Sequence, residues 1–442
     1  MGWINHIRER RWGLAAPPLL ALGLLASPAV ASSTDWTQLR AMNIAHQGGE
    51  DEAPSNTMYA YERALRLGAD MLEVDIHTSA EGELVVLHDA TVDRTTNGSG
   101  SVYEMTLEEI QALDAGHNLV PGEGTVSGVP ASDYPFRGVR TGRRKPPRRF
   151  EPADFRIPTL EEVMRVYPDV PINIEIKGAA DSDIASFLRN AEALAAFLNE
   201  TGRTEGVIVA SFNDLALERF HELAPAIDLA PGVAGVAGYK LGGVPPPPGT
   251  AAFQVPIEFS GITVVDPPFV TRAHGDGYAV HVWTINDEPT MNELLEWGVD
   301  GVMTAQPIRL ESVLCARDAE RPQRPSSAPG RHCSERASIA CTVEPVRAKL
   351  RGKRLRVKLL RRDEFVGRCA GRLKVRAAGT RVRQFARFDF GDTPPSEGGP
   401  HKRLAELELT RRLRQAAHRD RTVKLTARPY LAFREHATLA IR

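Results

Sequence analysis

Short apolar runs alternate with amphipathic segments between Met42 and Thr304, and this pattern predicts most of the elements of the chain. Apolar runs of roughly four to eight residues are typical of buried strands, whereas apolar residues spaced three and four apart are typical of helices. The predicted strands are Met42–His46, Met71–His77, Leu84–His88, Pro171–Lys177, Val207–Phe212, Ile227–Pro231, Gly261–Val265, Ala279–Ile285 and Gly301–Thr304. The predicted helices are Asn56–Leu67, Thr106–Leu113, Thr159–Tyr167, Ser182–Thr201, Asp214–Leu223 and Pro289–Trp297.

Strands that alternate with helices over about 250 residues predict a (β/α)8 barrel of the TIM type. An open doubly wound sheet is the competing architecture, but no glycine-rich dinucleotide loop follows the first predicted strand. Barrels of this type gather their functional side chains at the carboxyl ends of the strands. The candidate residues at such ends are His46, Glu73, Asp75, His88, Glu175, Lys177 and Trp283.

The first 31 residues have the three parts of a secretory signal peptide. Arg8, Arg10 and Arg11 precede a short apolar stretch, and Ala29-Val30-Ala31 is a cleavage pattern. The apolar stretch Leu14–Ala26 is too short for a comfortable membrane span, which argues against an anchor. We therefore expect export, with the mature protein secreted or in the cell envelope.

Composition divides the remaining chain into three parts. We expect the barrel over residues 32–318, a linker over residues 319–332, and a small basic β-rich domain over residues 333–442. Within the last part, basic and apolar residues alternate, which predicts half-buried strands of a sandwich-like fold. The alternating stretches are Arg354–Leu359, Arg372–Arg376, Thr422–Thr426 and Thr438–Arg442, while residues 407–414 are ambiguous.

A loop insertion over residues 119–156 interrupts the barrel pattern. It is rich in Pro and Gly, and it carries five Arg and Lys residues between positions 143 and 149. Long irregular loops inside compact domains are usually functional or disordered. A lid over the barrel mouth and a solvated charged loop are equally consistent with this composition.

The net charge of −1 conceals a division of charge along the chain. Residues 321–442 contain 31 Lys and Arg against 11 Asp and Glu, whereas residues 1–320 contain 24 against 45. This asymmetry indicates separate domains with different surfaces. We expect the basic domain to associate with anionic cell-envelope polymer or a membrane surface, and we expect no nucleic-acid partner. A soluble charged module, or one docked on the acidic barrel, is the alternative.

All four cysteines fall late in the chain, at Cys315, Cys333, Cys341 and Cys369. Export would place them in an oxidising compartment, which favours two disulfides whose pairing the sequence leaves open. A zinc site is disfavoured because no two cysteines are separated by two residues.

Glu73 and Asp75 are two residues apart in one predicted strand, so their side chains share a face. Two carboxylates this close repel one another unless a proton or a cation lies between them. Glu175 ends another predicted strand and supplies a third carboxylate, and Lys177 shares its face. Carboxylate oxygens suit hard cations, so we predict one divalent metal ion, Ca²⁺ or Mg²⁺, on these three residues.

A metal ion, a lysine and two histidines form a set that phosphodiester cleavage can use. The metal and Lys177 would neutralise charge on the phosphate oxygens. Because an ordinary histidine pKa is about 6.5, one of His46 and His88 can accept the proton of the nucleophile while the other protonates the leaving oxygen. Each residue alone has a simpler explanation, such as a surface ion pair or, for Trp283, a core aromatic. Their joint placement supports a catalytic site.

These residues resemble the glycerophosphodiester phosphodiesterase family over roughly residues 42–307. The matching motifs are His46-Gln-Gly-Gly, Pro54-Ser-Asn-Thr, Gly68-Ala-Asp, Glu73-Val-Asp75, His88-Asp89, Asp93-Arg-Thr-Thr-Asn-Gly-Ser-Gly100, Thr106-Leu-Glu-Glu, Leu113-Asp-Ala-Gly, Ile157-Pro-Thr-Leu-Glu-Glu, Asn173-Ile-Glu-Ile-Lys, Val282-Trp-Thr-Ile-Asn and Gly298-Val-Asp-Gly.

The resemblance implies an enzyme that hydrolyses glycerophosphodiesters to an alcohol and glycerol 3-phosphate. It implies a metal on the three carboxylates and acid–base roles for His46 and His88, with no assignment of which one is the acid. It also implies that Lys177 holds the phosphate and that Trp283 flanks the glycerol. In this family the glycerol 2-hydroxyl attacks first, and water then opens the cyclic phosphate.

Two departures from the family pattern matter. Gln47 stands where the family usually has Arg, and Ser55 stands where it usually has Glu. Gln47 loses a bidentate phosphate contact but can still donate a neutral hydrogen bond to substrate. We expect basic residues between positions 143 and 149 to replace part of that charge. Thr304-Ala-Gln-Pro also lacks the usual Asp, with little expected effect.

The sequence thus predicts a secreted, metal-dependent glycerophosphodiester phosphodiesterase. A lysophospholipase-D-like lipid phosphodiesterase is the first alternative. A non-catalytic, envelope-binding barrel is the second, although the complete set of carboxylates, histidines and lysine argues against it.

Overall fold

The structure is a computed structural model that describes residues 34–37, 41–147, 149–320, 343–361, 370–377, 383–389, 401–411, 413–415, 422–429 and 435–440. Up to residue 320 the strands are β1 (Met42–Ala45), β2 (Met71–Thr78), β3 (Leu84–Val86), β4 (Leu119–Val120), β5 (Gly124–Thr125), β6 (Ile172–Ile176), β7 (Val207–Ala210), β8 (Asp228–Leu229), β9 (Ala252–Val255), β10 (Glu258–Phe259), β11 (Ile262–Thr263), β12 (Ala279–Val282) and β13 (Gly301–Thr304).

The helices alternate with the longer strands. They are α1 (Met58–Arg66), α2 (Leu107–Ala112), α3 (Leu160–Val166), α4 (Ile184–Thr201), α5 (Asp214–Leu223), α6 (Val233–Gly242), α7 (Pro267–Gly275), α8 (Glu288–Trp297) and α9 (Pro307–Glu320). Two of them begin with a capping box, which Thr106 forms with Glu109 at α2 and Thr159 forms with Glu162 at α3.

Eight parallel strands form a nearly closed barrel, as the alternating pattern predicts. Their order around the barrel is β8-β7-β6-β2-β1-β13-β12-β9, which is chain order read from β1 to β13. A bridge between Leu229 and Thr250 joins the two remaining edges. The strands are buried on both faces, which is typical of parallel sheets covered by helices.

Two of the predicted strands are not parallel strands of the barrel. The stretch Gly261–Val265 does not join the barrel, because only Ile262–Thr263 is a strand and it pairs with β10 in an antiparallel hairpin. The sixth barrel strand is instead β9, which follows the proline-rich segment 245–248. The predicted strand Leu84–His88 shortens to β3 and pairs antiparallel with β2, because a connection of five residues is too short for a parallel crossover.

The described residues beyond 342 contribute seven strands, β14 (Val343–Arg351), β15 (Arg354–Arg361), β16 (Ala370–Ala377), β17 (Arg383–Asp389), β18 (His401–Glu408), β19 (Thr422–Pro429) and β20 (Glu435–Ala440). They pair antiparallel in two sheets, ordered β14-β15-β18 and β17-β16-β19-β20. In β15, Leu355, Val357 and Leu359 are buried while Arg354 and Arg356 are exposed, which matches the predicted alternation.

The predicted signal peptide and residues 321–332 of the predicted linker lie outside the described residues, whereas residues 319–320, which we expected in the linker, end α9. Cys315 is disulfide-bonded, whereas Cys333, Cys341 and Cys369 lie outside the described residues and the pairing stays open. Among the helices described, none is both long and apolar enough to cross a membrane.

Candidate active site

Three carboxylates meet where β2 and β6 run side by side. Glu73 and Asp75 share a face of β2, and the register pairs Asp75 with Glu175 of β6. One oxygen from each of the three lies within 4.8 Å of the other two. Glu73 and Asp75 are fully buried, and Glu175 is 14% exposed at the edge of the cluster. The structure therefore brings together the predicted set of metal ligands.

The electrostatics of this cluster fit a cation. Burial and the neighbouring Asp75 carboxylate raise the pKa of Glu73 well above its ordinary value. Burial also opposes the ionisation of Asp75, but the positive charges of Lys177 and the histidines lower its pKa overall. Asp75 Oδ1 is buried and forms an ion pair with Lys177. Buried, clustered carboxylate oxygens are suitable ligands for Ca²⁺ or Mg²⁺.

Lys177 lies beside the carboxylates. Its Nζ atom is 2.8 Å from Glu175 Oε1 and 3.2 Å from Asp75 Oδ1. Although burial disfavours the charged form, Asp75 and Glu175 raise the pKa of Lys177 above its ordinary value. The ammonium group is therefore permanently charged and borders the cavity.

His46 follows β1 in a tight turn that reads His-Gln-Gly-Gly. Gly48 and Gly49 both have positive φ, and a Cβ atom on either would lie 2.8 Å from a neighbouring side chain. The turn places His46 Nδ1 2.5 Å from Glu50 Oε1. Burial alone would lower the pKa of His46, but Glu50 and Glu73 raise it to about 10. Because Glu50 occupies Nδ1, Nε2 is the atom available to a substrate.

His88 is held in the same manner, by a carboxylate on its Nδ1 atom. Its Nδ1 atom is 2.7 Å from Asp89 Oδ1, and Arg94 donates two hydrogen bonds to the same carboxylate. Burial raises the pKa of Asp89, but the bonds from His88 and Arg94 lower it below its ordinary range. The ionised Asp89 fixes the orientation of His88, as a carboxylate does for a catalytic imidazole.

Gln47 is buried, and its side chain does not line the described cavity. Its Oε1 atom accepts a hydrogen bond from Ser55 Oγ at 2.6 Å, and its backbone N–H donates to Glu73 Oε2 at 2.6 Å. The two positions that depart from the family pattern are therefore in contact with each other. The substrate-binding role predicted for Gln47 stays a prediction.

The cavity beside this cluster has a volume of about 330 Å³ and includes His46, His88, Glu175, Lys177 and Trp283 in its lining. Trp283 contacts Phe212 edge to face, with 5.5 Å between ring centroids. Of the predicted site residues, Glu73, Asp75 and Gln47 lie behind this surface rather than on it.

The insertion over residues 119–156 has its own apolar contacts. Phe136, Phe150 and Phe155 surround Tyr59 of α1, with ring centroids between 4.6 and 5.1 Å from it. Arg144 donates to backbone carbonyls of the insertion itself. None of the described residues of this segment lines the cavity. The segment therefore packs against the barrel, and the proposed charge replacement by its basic residues stays a prediction.

Sequence reasoning assigned no role to several residues that hold the site in place. Glu50 positions His46, and Asn56 donates to Asp75 Oδ2 at 3.0 Å. Asp89 and Asn56 belong to matching motifs, so a signal existed for them. Glu50 carried no signal beyond its spacing of four residues from His46. Asn173 lines the cavity, and it too belongs to a matching motif.

A sequence model of the Glycerophosphoryl diester phosphodiesterase family matches residues 46–309. The chain is 33% identical over 275 residues to a glycerophosphodiester phosphodiesterase of Caldanaerobacter subterraneus subsp. tengcongensis, covering 61% of this chain and 96% of the relative. It is 24% identical to a lysophospholipase D of Rattus norvegicus, covering 66% and 91%. A phosphodiesterase of Oleispira antarctica, solved with the product sn-glycerol-3-phosphate, aligns at 24% identity over 64% of this chain and 99% of its own, with a TM-score of 0.47.

Proposed function

Because this chain belongs to the glycerophosphoryl diester phosphodiesterase family and is a phosphoric diester hydrolase, we propose that it releases glycerol 3-phosphate with the help of one divalent cation. The observation that carries the metal dependence is the meeting of Glu73, Asp75 and Glu175 within 4.8 Å. These residues would hold Ca²⁺ or Mg²⁺. A bound cation would neutralise negative charge on the phosphate oxygens.

The residues around the cation would orient the diester. Lys177 is charged and borders the cavity, so it holds a non-bridging phosphate oxygen. Trp283 provides an apolar face for the carbon atoms of the glycerol. Asn56 donates to Asp75 and keeps the carboxylate pointed at the cluster. The polar side of the cavity therefore matches a phosphate with a small polyol.

His46 and His88 would move the protons. The attacking hydroxyl loses its proton to one imidazole Nε2, and its oxygen forms a bond to phosphorus. The bond from phosphorus to the leaving alcohol breaks, and the leaving oxygen takes a proton from the other imidazole. When water opens the cyclic phosphate, the same two groups act in reverse. Glu50 and Asp89 keep both Nε2 atoms directed at the substrate.

A metal-controlled assay with glycerophosphocholine tests this proposal. Chelation should abolish release of glycerol 3-phosphate, and added Ca²⁺ or Mg²⁺ should restore it. Glu175→Gln should weaken cation binding, measured by calorimetry, by about tenfold or more, because one of three charged ligands is lost. Glu161→Gln, on an exposed face of α3, is the matched control. Full turnover by chelated protein that contains no metal would refute the metal dependence.

Export is part of the same proposal. The arginine-led apolar segment and the Ala29-Val30-Ala31 pattern predict cleavage after Ala31. The mature protein should begin at Ser32, which mass spectrometry of the extracytoplasmic fraction would establish. Recovery of the intact chain from the cytoplasm alone would contradict the proposal.

We also propose that residues 333–442 form a separate basic domain for an anionic surface. Arg347, Lys349 and Arg351 alternate along β14 and are exposed, so they form one basic row. Such a row attracts anionic lipid or polymer through its field. This association would keep the enzyme near the envelope.

A lysophospholipase D activity is the second candidate. The relative from Rattus norvegicus bears that name. The specific observation in its favour is the apolar character of the part of the cavity that lies away from the carboxylates.

A further inference from the structure

Three polar side chains behind the cavity form a continuous chain of hydrogen bonds, which we call the polar chain. They are His77 of β2, Tyr103 of the short 3-10 turn Val102–Glu104, and Asn190 of α4. His77 and Asn190 are fully buried, and none of the three lines the cavity. A buried polar group destabilises a fold unless its donors and acceptors are paired, so the partners of these side chains indicate what they do.

The polar chain ends on the backbone carbonyl groups of two residues of the active site. At one end, His77 Nε2 is 3.2 Å from the carbonyl oxygen of His88. At the other end, Asn190 Nδ2 is 2.8 Å from the carbonyl oxygen of Lys177. Between these ends, Tyr103 Oη is 2.7 Å from His77 Nδ1 and 3.1 Å from Asn190 Nδ2. Three side chains outside the cavity lining therefore connect His88 to Lys177.

Groups that can only donate or only accept fix the direction of every bond in the polar chain. Asn190 Oδ1 is 3.2 Å from the backbone nitrogen of Thr78, which can only donate, so Nδ2 is the donating end of the amide. The His88 carbonyl can only accept, so His77 carries its proton on Nε2. Because Asn190 donates to the Tyr103 hydroxyl, the proton of that hydroxyl is directed at His77 Nδ1. One tautomer and one amide orientation satisfy the whole chain.

The contact with His77 fixes a part of His88 that its carboxylate partner does not. His88 follows β3, where Leu87 N–H donates to the Asp75 carbonyl at 3.0 Å, and His77 binds the carbonyl of the next residue. Asp89 orients the ring of His88, but it is the adjacent residue and moves with the same backbone segment. The polar chain attaches that segment to β2 and, through Asn190, to α4.

We propose that the polar chain positions the catalytic groups, because it sets the separation of His88 from Lys177. It thereby keeps the His88 imidazole aligned with a phosphate that Lys177 holds. This inference rests on the proposed diesterase function and extends it to residues that do not line the cavity. Because a displacement of about 1 Å between reacting groups can lower a rate about a hundredfold, the His77 end of the chain should affect kcat more than KM.

The Tyr103→Phe variant in metal-supplemented protein tests the proposal. It removes the hydroxyl that fixes the tautomer of His77 and preserves the aromatic ring. We expect kcat for glycerophosphocholine to fall about tenfold and KM to stay within about twofold, because His88 loses its fixed partner. Tyr134→Phe is the matched control, because it removes a hydroxyl that lies 2.9 Å from the Val126 carbonyl in the insertion. An unchanged kcat in the Tyr103 variant, or an equal loss in both variants, would overturn the proposal.

A double-mutant cycle separates positioning from a general structural role. Tyr103→Phe is combined with His88→Ala, and kcat is measured as choline release over long incubations, so that slow variants remain measurable. If the polar chain acts through His88, Tyr103→Phe should change kcat by less than about twofold in the His88→Ala background. The same tenfold loss in both backgrounds would show that Tyr103 supports the fold in general, and it would overturn the proposal.

Two substitutions of His77 provide a conservative rescue. Gln can still donate an amide N–H to the His88 carbonyl, whereas Leu fills similar space without a donor. We expect His77→Gln to retain kcat within about threefold of wild type and His77→Leu to lose about tenfold or more. Calorimetry should find equal cation affinity in both variants, because the carboxylate cluster is untouched. Equal kcat in the two variants, or a loss of cation affinity that accounts for the loss of turnover, would overturn the role of the donor.

The outcomes separate this inference from the function beneath it. Turnover of glycerophosphocholine that neither Tyr103→Phe nor His77→Leu changes would refute the polar chain as a positioning device and leave the diesterase function intact. Absence of turnover in metal-supplemented wild-type protein would refute the diesterase function itself, and with it the inference.

Discussion

Glu50 positions a catalytic histidine although no sequence motif predicts a role for it. It binds His46 Nδ1 at 2.5 Å, and its Oε2 atom is buried without a hydrogen-bond partner. The pair keeps an imidazolium beside three carboxylates, and Asp89 serves His88 in the same way. Two separate carboxylates thus position the two histidines, which leaves Glu73, Asp75 and Glu175 for the proposed cation.

We predict that Glu50→Gln lowers the pKa of His46 from about 10 toward its ordinary value of 6.5. The carboxylate that favours the charged imidazole is removed, while burial still opposes that charge. An NMR titration of the His46 ring in chelated protein measures the change. Glu192→Gln, on an exposed part of α4, is the control. An unchanged His46 titration would contradict the role of Glu50.

The Glu50–His46 pair should also make the unfolding free energy depend on pH. Because the pKa of His46 is raised in the folded state, the Glu50–His46 pair stabilises the folded protein fully below pH 6.5. This stabilisation is lost as pH rises through about 10. The difference in unfolding free energy between wild type and Glu50→Gln should therefore shrink over that window. Urea unfolding of chelated protein at several pH values would detect it.

Gln47 and Ser55 form a neutral pair where the family pattern implies a charged one. We predict that Ser55→Glu alone lowers the unfolding free energy by about 3–5 kcal/mol, because it buries a carboxylate without a partner. Adding Gln47→Arg should recover most of that loss, because the two positions are in contact. A double-mutant cycle by urea unfolding measures the coupling. Additive effects of the two substitutions would contradict the pairing.

At the scale of elements, adjacent strands in register create the site. Glu73 and Asp75 share a face because β2 is extended, and Glu175 joins them because β6 pairs with β2 at that register. The capping residues are equally local. At the start of α2, Thr106 Oγ1 accepts a hydrogen bond from the Glu109 backbone N–H, and the Thr106 backbone N–H donates one to Glu109 Oε2.

We predict that Thr106→Ala lowers the unfolding free energy by about 1 kcal/mol, because an N-terminal amide of α2 loses its acceptor. Chemical denaturation measures the loss. Thr263→Ala, at an exposed residue of β11, is the control and should change stability by less than about 0.5 kcal/mol. Equal effects at both positions would contradict the capping role.

For the whole molecule, the charge division separates an acidic catalytic part from a basic C-terminal part. We predict that replacing Arg347, Lys349 and Arg351 by Gln reduces retention of the full mature chain on anionic liposomes at low salt. Each basic residue near such a surface contributes about 1 kcal/mol. The charge-matched control replaces Arg66, Arg165 and Arg219, which lie on barrel helices. Identical retention of both variants, or wild-type retention that salt does not change, would contradict the anionic-surface proposal.

The sequence alone determined the barrel, the order of most of its elements, and the residues of the carboxylate cluster. These features follow from local spacing, because a period of two or of 3.6 residues sets the strand or helix and the face that each side chain occupies. Asp214–Leu223 was predicted to the residue for this reason. Gly261–Val265 was misassigned to the barrel, because short apolar runs have the same pattern in a barrel strand and in a hairpin.

Only the tertiary structure decided which distant segments touch. The contact of Gln47 with Ser55, the packing of the insertion on Tyr59, and the apolar cavity lining from α6 and the β10–β11 hairpin all depend on it. Such contacts follow from the free energy of packing segments far apart in the chain, which no local pattern contains. The sequence specified the carboxylates, histidines and lysine that can do the chemistry. The fold decided which cavity those side chains line.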